Sequence, residues 1–414
     1  MKVIADKWLT MGLLCVSGSI IYFLPYFSET YYVPMKDAFG FSNTEMGLLM
    51  STFGFVSLFG YIPGGWLADR YSPRKLISTA LLVTALAGFI FSTMPSFKIT
   101  LMIYGIWGLS TACIFWSAMI KTTRNWGTHE EQGRAFGILD GGRNLTDMIG
   151  TSLVLLIFAF SGGGDAGLSQ NIIWISSATL VMALLVRQVM SDEISRKDDT
   201  QEPKQKTTLS DVKGILKLPE VWLISIIIMA AYTGMWGTIF FTPYATEIYE
   251  LGGVGGGAIG AGKYWIAPFA AIAAGFFADK IGSAKAICGF FIIMTTSFLV
   301  FGLMPGAPGL TPLLLVNGAL LAAVVFGLKG IYFSLLEQGG IPIAVTGTAT
   351  GLISVIGYTP DVFMPTLGGM ILDTYPGALG YQYLFLVVSL LSFIGLIAAY
   401  TIYRKTQERR IDNT

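Results

Sequence analysis

The sequence has few of the residues that build catalytic and metal sites. Its 414 residues include one histidine, His129, and three cysteines, Cys15, Cys113 and Cys288, which lie far apart in apolar runs. A single histidine excludes a multi-histidine metal site, and three scattered cysteines form neither a disulfide framework nor a metal cluster. The chain also has no G-x-x-x-x-G-K-S/T loop for nucleotide phosphates. We therefore expect no metal, no cofactor and no enzyme activity.

Charge is scarce as well. Only 12% of the residues are charged, about half the share that is usual in a soluble domain, whereas 53% are hydrophobic. This composition excludes a disordered chain and an ordinary water-soluble enzyme. The net charge of +1 gives no reason to expect nucleic acid or another acidic polymer as a partner. The composition instead indicates a chain that lies in a lipid bilayer.

Twelve apolar runs are long enough to cross a bilayer, because about 20 helical residues cover its hydrocarbon core. The runs cover 8–33, 44–68, 75–94, 99–123, 134–160, 169–187, 219–245, 256–278, 285–304, 312–336, 345–370 and 382–403. The first run has no small-residue cleavage site, so we expect a span and not a signal peptide. The sequence therefore predicts an all-α integral membrane protein with twelve transmembrane helices.

A charged stretch without aromatic residues divides these runs six and six. It covers 188–217 and is predicted to be a cytoplasmic linker between an N-terminal six-helix bundle, 1–187, and a C-terminal six-helix bundle with a short tail, 218–414. With both termini inside, most lysines and arginines fall in cytoplasmic loops and only Lys36 and Lys98 fall outside, as the positive-inside rule requires. We expect a multi-pass protein of a cell membrane, the bacterial inner membrane, with both termini in the cytoplasm.

A loop motif occurs at the same place in each half. The stretch 65–70 reads G-W-L-A-D-R after the second run, and 275–280 reads G-F-F-A-D-K after the eighth. A second repeat aligns 133–147 with 347–361, so that two glycines and the final aspartate coincide. Parallel six-span repeats of this kind place a substrate site near the bilayer midplane, between the halves.

With this pair of motifs, the chain resembles the major facilitator superfamily over its whole length. The resemblance implies two pseudo-symmetric six-helix halves and a motif loop that locks the cytoplasmic side in the outward-facing state. It assigns this gate role to five residues of the two loops: Asp69, Arg70, Arg74, Asp279 and Lys280. The first loop departs from the fullest motif in having serine and proline at 72 and 73 where glycine is usual.

Within the superfamily, the chain is most similar to the organophosphate:phosphate antiporters and related organic-anion carriers. The similarity lies in the stretches 69–74, 131–144 and 347–358. Those antiporters resemble one another in an arginine on span one and another on span seven, which together hold phosphate. This sequence has Ser-Glu at 28–29 and Met-Trp at 235–236 in those regions. The resemblance to those antiporters therefore extends to the helical scaffold, whereas this sequence lacks their pair of phosphate-binding arginines.

Span five carries three charges on one helical face, because Asp140, Arg143 and Asp147 are spaced by three and four residues. A charge at membrane depth costs about 2.5–3.5 kcal/mol or more, so it normally faces a cavity or a partner. Arg143, which falls where the antiporters carry a histidine, is predicted to bind an anionic substrate through its guanidinium fork, together with Asn144. The alternative is an internally paired cluster that only fixes helix packing.

Three lysines within the spans are further candidates for substrate binding. Lys329, in the middle of span ten, has no acidic residue three or four positions away and should reach a carboxylate on another span or the substrate. Lys263 lies in the outer half of span eight, where its alternative is to extend to the membrane surface. Lys121, near the cytoplasmic end of span four, fits a gate or interface residue better than a central ligand.

Three carboxylates are candidates for proton coupling: Glu29, Asp147 and Asp361. Glu29 lies late in span one, where burial would disfavour the charged form of its carboxyl group. Its alternative is an ordinary carboxylate at the periplasmic rim. Asp361, flanked by prolines, is the repeat mate of Asp147 and could instead pair with a lysine.

Aromatic residues cluster in the spans that line the cavity in the family. We assign four of them to substrate binding: Tyr26, Tyr232, Trp236 and Tyr358. Packing in the core or exposure to lipid is the alternative for any single aromatic residue. Spans one and seven are inward-facing repeat mates in the family, which favours the aromatic residues of those two spans.

Together these features predict a secondary active transporter that works by rocker-switch alternating access. The mixture of cations, acids and aromatic residues favours a small organic anion such as a sugar acid or a sulfonate, with proton symport or exchange. We expect the lipid bilayer, the substrate and a proton or counter-substrate as partners, and a monomer. The alternatives are a neutral sugar, nucleoside or drug transporter, and a transporter-like ligand sensor.

Overall fold

A computed structural model describes residues 2–126, 132–190, 217–304, 306–338 and 353–412. Within these ranges the chain is helical apart from short turns, and it contains no β-strand. Most of the predicted linker and the beginning of the predicted eleventh span lie outside the described residues, as do the side chains of Asp69 and Arg134.

Among the described residues, eight helices precede the linker. They are α1 (Lys2–Phe23), α2 (Ser28–Phe39), α3 (Asn43–Arg70), α4 (Pro73–Phe91), α5 (Phe97–Gly108), α6 (Ser117–Trp126), α7 (Gln132–Phe160) and α8 (Gly164–Val189). A π-helical segment, Leu109–Trp116, joins α5 to α6. Several helices begin at residues that favour helix starts: α3 has a capping box, in which Ser42 and Glu45 bond each other's backbone N–H groups, and α4 begins at Pro73.

In the described ranges after the linker, eight more helices are numbered. They are α9 (Pro219–Ile239), α10 (Phe241–Glu247), α11 (Gly252–Ile281), α12 (Ser283–Leu303), α13 (Thr311–Ile331), α14 (Leu335–Gln338), α15 (Pro360–Thr374) and α16 (Ala378–Asp412). Short 3-10 turns at Pro308–Leu310 and Tyr332–Ser334 flank α13, and residues 353–357 are helical as well.

Nine stretches of the described residues are long and apolar enough to cross a membrane. They are Lys7–Phe39, Pro73–Phe91, Phe97–Thr123, Gly137–Phe160, Gly164–Val189, Pro219–Glu247, Ser283–Leu303, Pro308–Ser334 and Ala378–Glu408. Two other predicted spans, 44–68 and 256–278, coincide with α3 and α11, which are 28 and 30 residues long. The twelfth, 345–370, begins outside the described residues and continues as α15.

The predicted first span consists of two helices. The turn between α1 and α2 contains Pro25, which has no N–H to donate and disfavours helical geometry at the residue before it. Tyr31 inside α2 also departs from helical geometry, with φ −119° and ψ 38°, three residues before Pro34. This interruption places Glu29 in the first turn of α2.

Two other predicted spans show irregular winding. The seventh is interrupted at Phe240, between α9 and α10, close to Pro243. The fourth contains the π-helical segment Leu109–Trp116, a form that is rare and frequently occurs at functional sites. In contrast, α11 continues through Pro268 and α15 continues through Pro365.

The chain divides into two compact units. The first consists of Met1–Glu202 with Gly253–Tyr264, and the second consists of Pro203–Gly252 with Trp265–Thr414. In the first unit α4 packs along α8, α1 along α7, and α3 along α5 and the π-helical segment. In the second unit α9 and α12 pack along α16. The first part of α11 thus belongs to the first unit, although the helices on either side of it in the sequence belong to the second unit.

Candidate substrate site

Arg143 is held against α1 in the first unit. Its Nε donates a hydrogen bond to the Gly18 carbonyl oxygen at 2.9 Å, and its Nη1 lies 3.6 Å from Asp140 Oδ1. The Arg143 side chain is 21% exposed and that of Asp140 is 71% exposed. Because a buried charge needs hydrogen bonds as well as partners, this arrangement fixes the stem of the arginine and leaves the end of its fork partly accessible.

Two aromatic rings flank the Arg143 guanidinium group. Its central carbon lies 5.6 Å from the Trp116 ring centre and 5.9 Å from the Tyr22 ring centre. Both distances are within the range in which an aromatic face attracts a cation. Trp116 is the last residue of the π-helical segment, so the irregular winding of span four decides which residue reaches the arginine.

Tyr26 lies in the same region of the first unit. Its ring centre is 6.2 Å from that of Tyr22 and 5.4 Å from that of Phe53. Asn144, the neighbour of Arg143, is half-buried. Ser19, which follows the residue that binds Arg143, donates a hydrogen bond to Asp147 Oδ1. Consecutive residues of α1 therefore bind two oppositely charged residues of α7.

Glu29 and Lys263 form a buried ion pair, also within the first unit. The Lys263 Nζ lies 2.6 Å from Glu29 Oε2, and the two side chains are only 6% and 3% exposed. The Tyr264 hydroxyl group donates to the same carboxylate oxygen at 2.8 Å. The Lys263 side chain therefore ends on a carboxylate and does not extend to the surface. Glu29 is likewise a buried residue and not an exposed rim carboxylate.

Glycines bring the first part of α11 close to its neighbours. A Cβ on Gly257 would lie 3.1 Å from the Thr30 carbonyl oxygen, and one on Gly253 would lie 3.0 Å from Pro34 Cγ. Both contacts are with α2, the helix that carries Glu29. Small residues allow this close approach of backbones in a membrane, which brings Lys263 within reach of the carboxylate.

The second unit contains another group of the predicted residues. Trp236 on α9 donates its indole N–H to Asp361 Oδ1 at 2.8 Å. The ring centres of Tyr232 and Tyr358 lie 4.6 Å apart, and the ring planes are tilted by 51°. Lys329 Nζ lies 6.0 Å from the Tyr232 ring centre. The structure thus brings together five residues from three separate stretches of the sequence, 232–236, 329 and 358–361.

Further aromatic residues extend this group. The Tyr332 and Tyr358 hydroxyl groups lie 3.4 Å apart, and Phe326 is a second ring 6.0 Å from Lys329 Nζ. Lys329 therefore lies among rings, as Arg143 does in the first unit. Glu337, two turns further along the chain, has a side chain outside the described residues.

Lys121 is placed beside the motif loop. Its Nζ donates to the Ala68 carbonyl oxygen at 3.0 Å, in the last turn of α3. In the same turn the Arg70 guanidinium carbon lies 4.1 Å from the Trp66 ring centre. Arg74 follows on α4 and is half-buried. In the second motif loop, Asp279 and Lys280 are exposed at the end of α11.

Sequence reasoning did not assign four residues that complete these sites: Gly18, Ser19, Trp116 and Tyr264. A signal for the first two was available, since Cys15, Gly18, Ser19 and Tyr22 recur at helical spacing along one face of span one. No sequence signal indicated Trp116, because the π-helical segment shifts the face of span four that a regular helix would present.

Comparisons with known proteins agree with this architecture. The sequence profile of the Major Facilitator Superfamily matches residues 9–363. The chain is 30% identical to the inner membrane protein YqcE of Escherichia coli (strain K12), over 95% of this chain and 94% of that protein. It is 28% identical to the inner membrane protein YihN of the same strain, over 98% and 97% of the two chains. The chain therefore belongs to the Major Facilitator Superfamily.

A solved structure shows the same fold. The chain superposes on a variant of the nucleoside transporter NupG with a TM-score of 0.74 and 14% identity, over 96% of this chain and 100% of that one. This match and the family profile confirm the predicted all-α membrane fold of twelve helices in two halves. The protein is a multi-pass membrane transporter of a small molecule and not an enzyme, as predicted.

Two further relatives have names that include a substrate. The chain is 22% identical to the glycerol-3-phosphate transporter of Bacillus subtilis (strain 168), over 86% of this chain and 84% of that protein. It is 25% identical to the probable sulfoacetate transporter SauU of Cupriavidus necator, over 39% of this chain and 38% of that protein.

Proposed function

We propose that this protein is a secondary active transporter of a small organic anion, and that Arg143 is the residue that binds the anionic group. The observation that carries this proposal is the fixed arginine: its Nε is bound to Gly18, whereas the end of its fork remains partly accessible between two aromatic rings. A guanidinium group stays charged at every physiological pH and binds a carboxylate or sulfonate with two parallel hydrogen bonds.

The second unit holds a group of candidate ligands of its own. Lys329 is a cation beside the Tyr232 ring, and Tyr232, Trp236 and Tyr358 supply rings and polar tips that suit a polar metabolite. Asp361, which accepts the Trp236 N–H, holds this tryptophan in one orientation. Two relatives named for sulfoacetate and for glycerol 3-phosphate support an anionic substrate. The missing two-arginine clamp favours a sugar acid or a sulfonate over a phosphate.

Proton coupling is assigned to the carboxylates, and first to Glu29. A proton on Glu29 would remove the negative charge that holds Lys263, so protonation would release the buried ion pair. Lys263 therefore acts on the substrate through Glu29 more than through direct contact. Asp147 and Asp361 are the further coupling candidates.

The protein works as a monomer by alternating access, with both termini in the cytoplasm, and Lys121 belongs with the cytoplasmic gate.

A neutral sugar or nucleoside is the second candidate substrate. The tilted Tyr232 and Tyr358 ring pair is an observation in its favour, because aromatic faces bind sugar and base rings. Such a substrate would make no use of the charge on Arg143. The two candidates therefore differ in their dependence on this residue.

The test uses purified protein and a panel of organic anions, neutral sugars and nucleosides, with thermal stabilisation as the readout. We expect stabilisation by at least one organic anion, and we expect the Arg143→Gln variant to lose it by roughly tenfold or more in affinity, because a hydrogen bond to a charged group is worth about 1.5–3 kcal/mol. Arg187→Gln, a charge-matched change at an exposed position of α8, is the control. Unchanged anion binding by Arg143→Gln would exclude the assignment.

Transport is tested separately by counterflow of the radiolabelled ligand in proteoliposomes. A transporter exchanges internal and external ligand, whereas a transporter-like sensor binds the ligand and does not exchange it. We expect exchange by the wild type and no exchange above empty liposomes by Arg143→Gln.

A further inference from the structure

Arg143 can offer only part of its guanidinium group to a ligand. The Nε–H donates to the Gly18 carbonyl oxygen at 2.9 Å. The edge of the guanidinium group formed by Nε and one Nη is therefore not available for two parallel hydrogen bonds to a ligand. The stem of the arginine lies flat on Gly18, since a Cβ there would be 3.0 Å from Arg143 Cδ and 3.2 Å from Nε. An anionic group must therefore approach the two Nη atoms end-on.

A carboxylate already lies at this end of the fork. Asp140 Oδ1 is 3.6 Å from Arg143 Nη1, and its side chain is 71% exposed, so water and a ligand can reach both groups. From α1, Tyr22 faces the arginine, and Trp116 faces it from the π-helical segment.

The charged side chains around Arg143 disfavour a ligand group with two negative charges. Asp147 lies one helical turn beyond Arg143 and accepts the Ser19 hydroxyl group. With both carboxylates ionised, these two groups and the guanidinium group together carry a charge of −1. A ligand group with one negative charge shares the arginine with Asp140 at modest cost. A group with two charges places the second one beside the Asp140 carboxylate, where like charges repel.

We propose that Asp140 determines the charge of the anionic group that Arg143 accepts, so that the site selects a singly charged carboxylate or sulfonate over a doubly charged phosphate or phosphonate. This inference rests on the proposed function, because it concerns the same arginine. Beyond the proposed function, it identifies Asp140 as a residue that determines specificity, and it narrows the substrate class to singly charged anions. It also gives a structural reason for the exclusion of phosphate that is independent of the missing clamp.

Two ligands of matched shape test the inference: ethanesulfonate, which carries one charge, and ethylphosphonate, which carries two above its second ionisation. Their affinities for the purified full-length protein are measured by ligand-observed NMR titration, below and above that ionisation. The wild type is expected to prefer the sulfonate at the higher pH and to lose most of this preference at the lower pH, where the phosphonate carries one charge.

The variant Asp140→Asn is expected to bind ethylphosphonate roughly two- to fivefold more tightly than the wild type at the higher pH, as expected for one partly exposed charge. Its affinity for ethanesulfonate should change less. Asp165→Asn removes the same charge from an exposed position at the start of α8 and is expected to leave both affinities unchanged.

Equal affinities of the wild type for the two ligands at the higher pH would overturn the inference, as would an unchanged preference in Asp140→Asn. Failure of the proposed function gives a different result. In that case Arg143→Gln would bind both ligands as tightly as the wild type does, whatever the preference between them.

Discussion

At the scale of single residues, the Glu29–Lys263 ion pair is important for stability because both of its charges are buried. Both side chains are almost completely buried, and Tyr264 donates to the same carboxylate oxygen that binds the lysine. Removal of one partner from such a pair leaves a buried charge without its counter-charge, whereas removal of both leaves no buried charge. Removal of one partner is therefore expected to destabilise the protein more than removal of both.

The first prediction follows from this asymmetry. Lys263→Met should lower the free energy of unfolding by about 3–5 kcal/mol, and Glu29→Gln combined with Lys263→Met should regain most of that loss. Thermal unfolding in detergent, followed by tryptophan fluorescence, measures both. Lys98→Met, at an exposed position, is the control. A double variant that is as unstable as the sum of the two single variants would contradict the proposed energetics.

At the scale of helices, irregular winding determines which residues meet. The turn at Pro25 starts a new helix and places Glu29 in its first turn. The π-helical segment Leu109–Trp116 places Trp116 beside Arg143. This segment packs against glycines of α3: a Cβ on Gly64 would lie 2.7 Å from the Cys113 carbonyl oxygen. Backbone of the segment, and not a flexible side chain, occupies the space beside this glycine.

The second prediction concerns this contact. Gly64→Ala should destabilise the protein by about 1–3 kcal/mol, because backbone has to move to admit the methyl group. The neighbouring glycine provides a matched control, since a Cβ on Gly65 would meet nothing within 4 Å. Gly65→Ala should be neutral or slightly stabilising, because alanine favours a helix by up to about 1 kcal/mol over glycine. Equal unfolding temperatures for the two variants would show that the contact is loose.

At the scale of the whole molecule, the ion pair and the substrate site have to act together. The family profile shows a transporter. Net movement of a substrate against its gradient requires an energy source, and a proton that binds to Glu29 is the one we propose. Exchange of substrate for substrate needs no such source. The two transport modes therefore separate the binding function from the coupling function.

The third prediction uses that separation. In proteoliposomes a pH difference of one unit is worth about 1.4 kcal/mol per proton, enough for about tenfold accumulation of substrate. Glu29→Gln, which imitates the protonated carboxyl group, should lose this accumulation and retain substrate exchange. Glu250→Gln, at an exposed position after α10, should retain both. Accumulation by Glu29→Gln at the wild-type level would exclude Glu29 as the coupling residue.

Several features of the candidate sites could be predicted from local sequence. Arg143 and its two acidic neighbours were singled out from the sequence because a charge at membrane depth has a high free-energy cost in any fold. Tyr232 and Trp236 were assigned by their place in the repeats, and Tyr358 by its place in a span that lines the cavity in the family. The structure groups these three residues. The Glu29–Lys263 contact joins residues 234 positions apart, and no local pattern indicates such a pair.

The sequence by itself determined the membrane location, the helical class and the repeat, because apolar run length and charge distribution act locally along the chain. Tertiary structure alone decided the partners: Gly18 for Arg143, Ser19 for Asp147, and Lys263 for Glu29. The physical reason is that partners depend on helix breaks, π-helical winding and close glycine contacts. Helix breaks and π-helical winding change which residues share a helical face, and glycine contacts let two helices approach closely. Hydrophobic periodicity records neither of these effects.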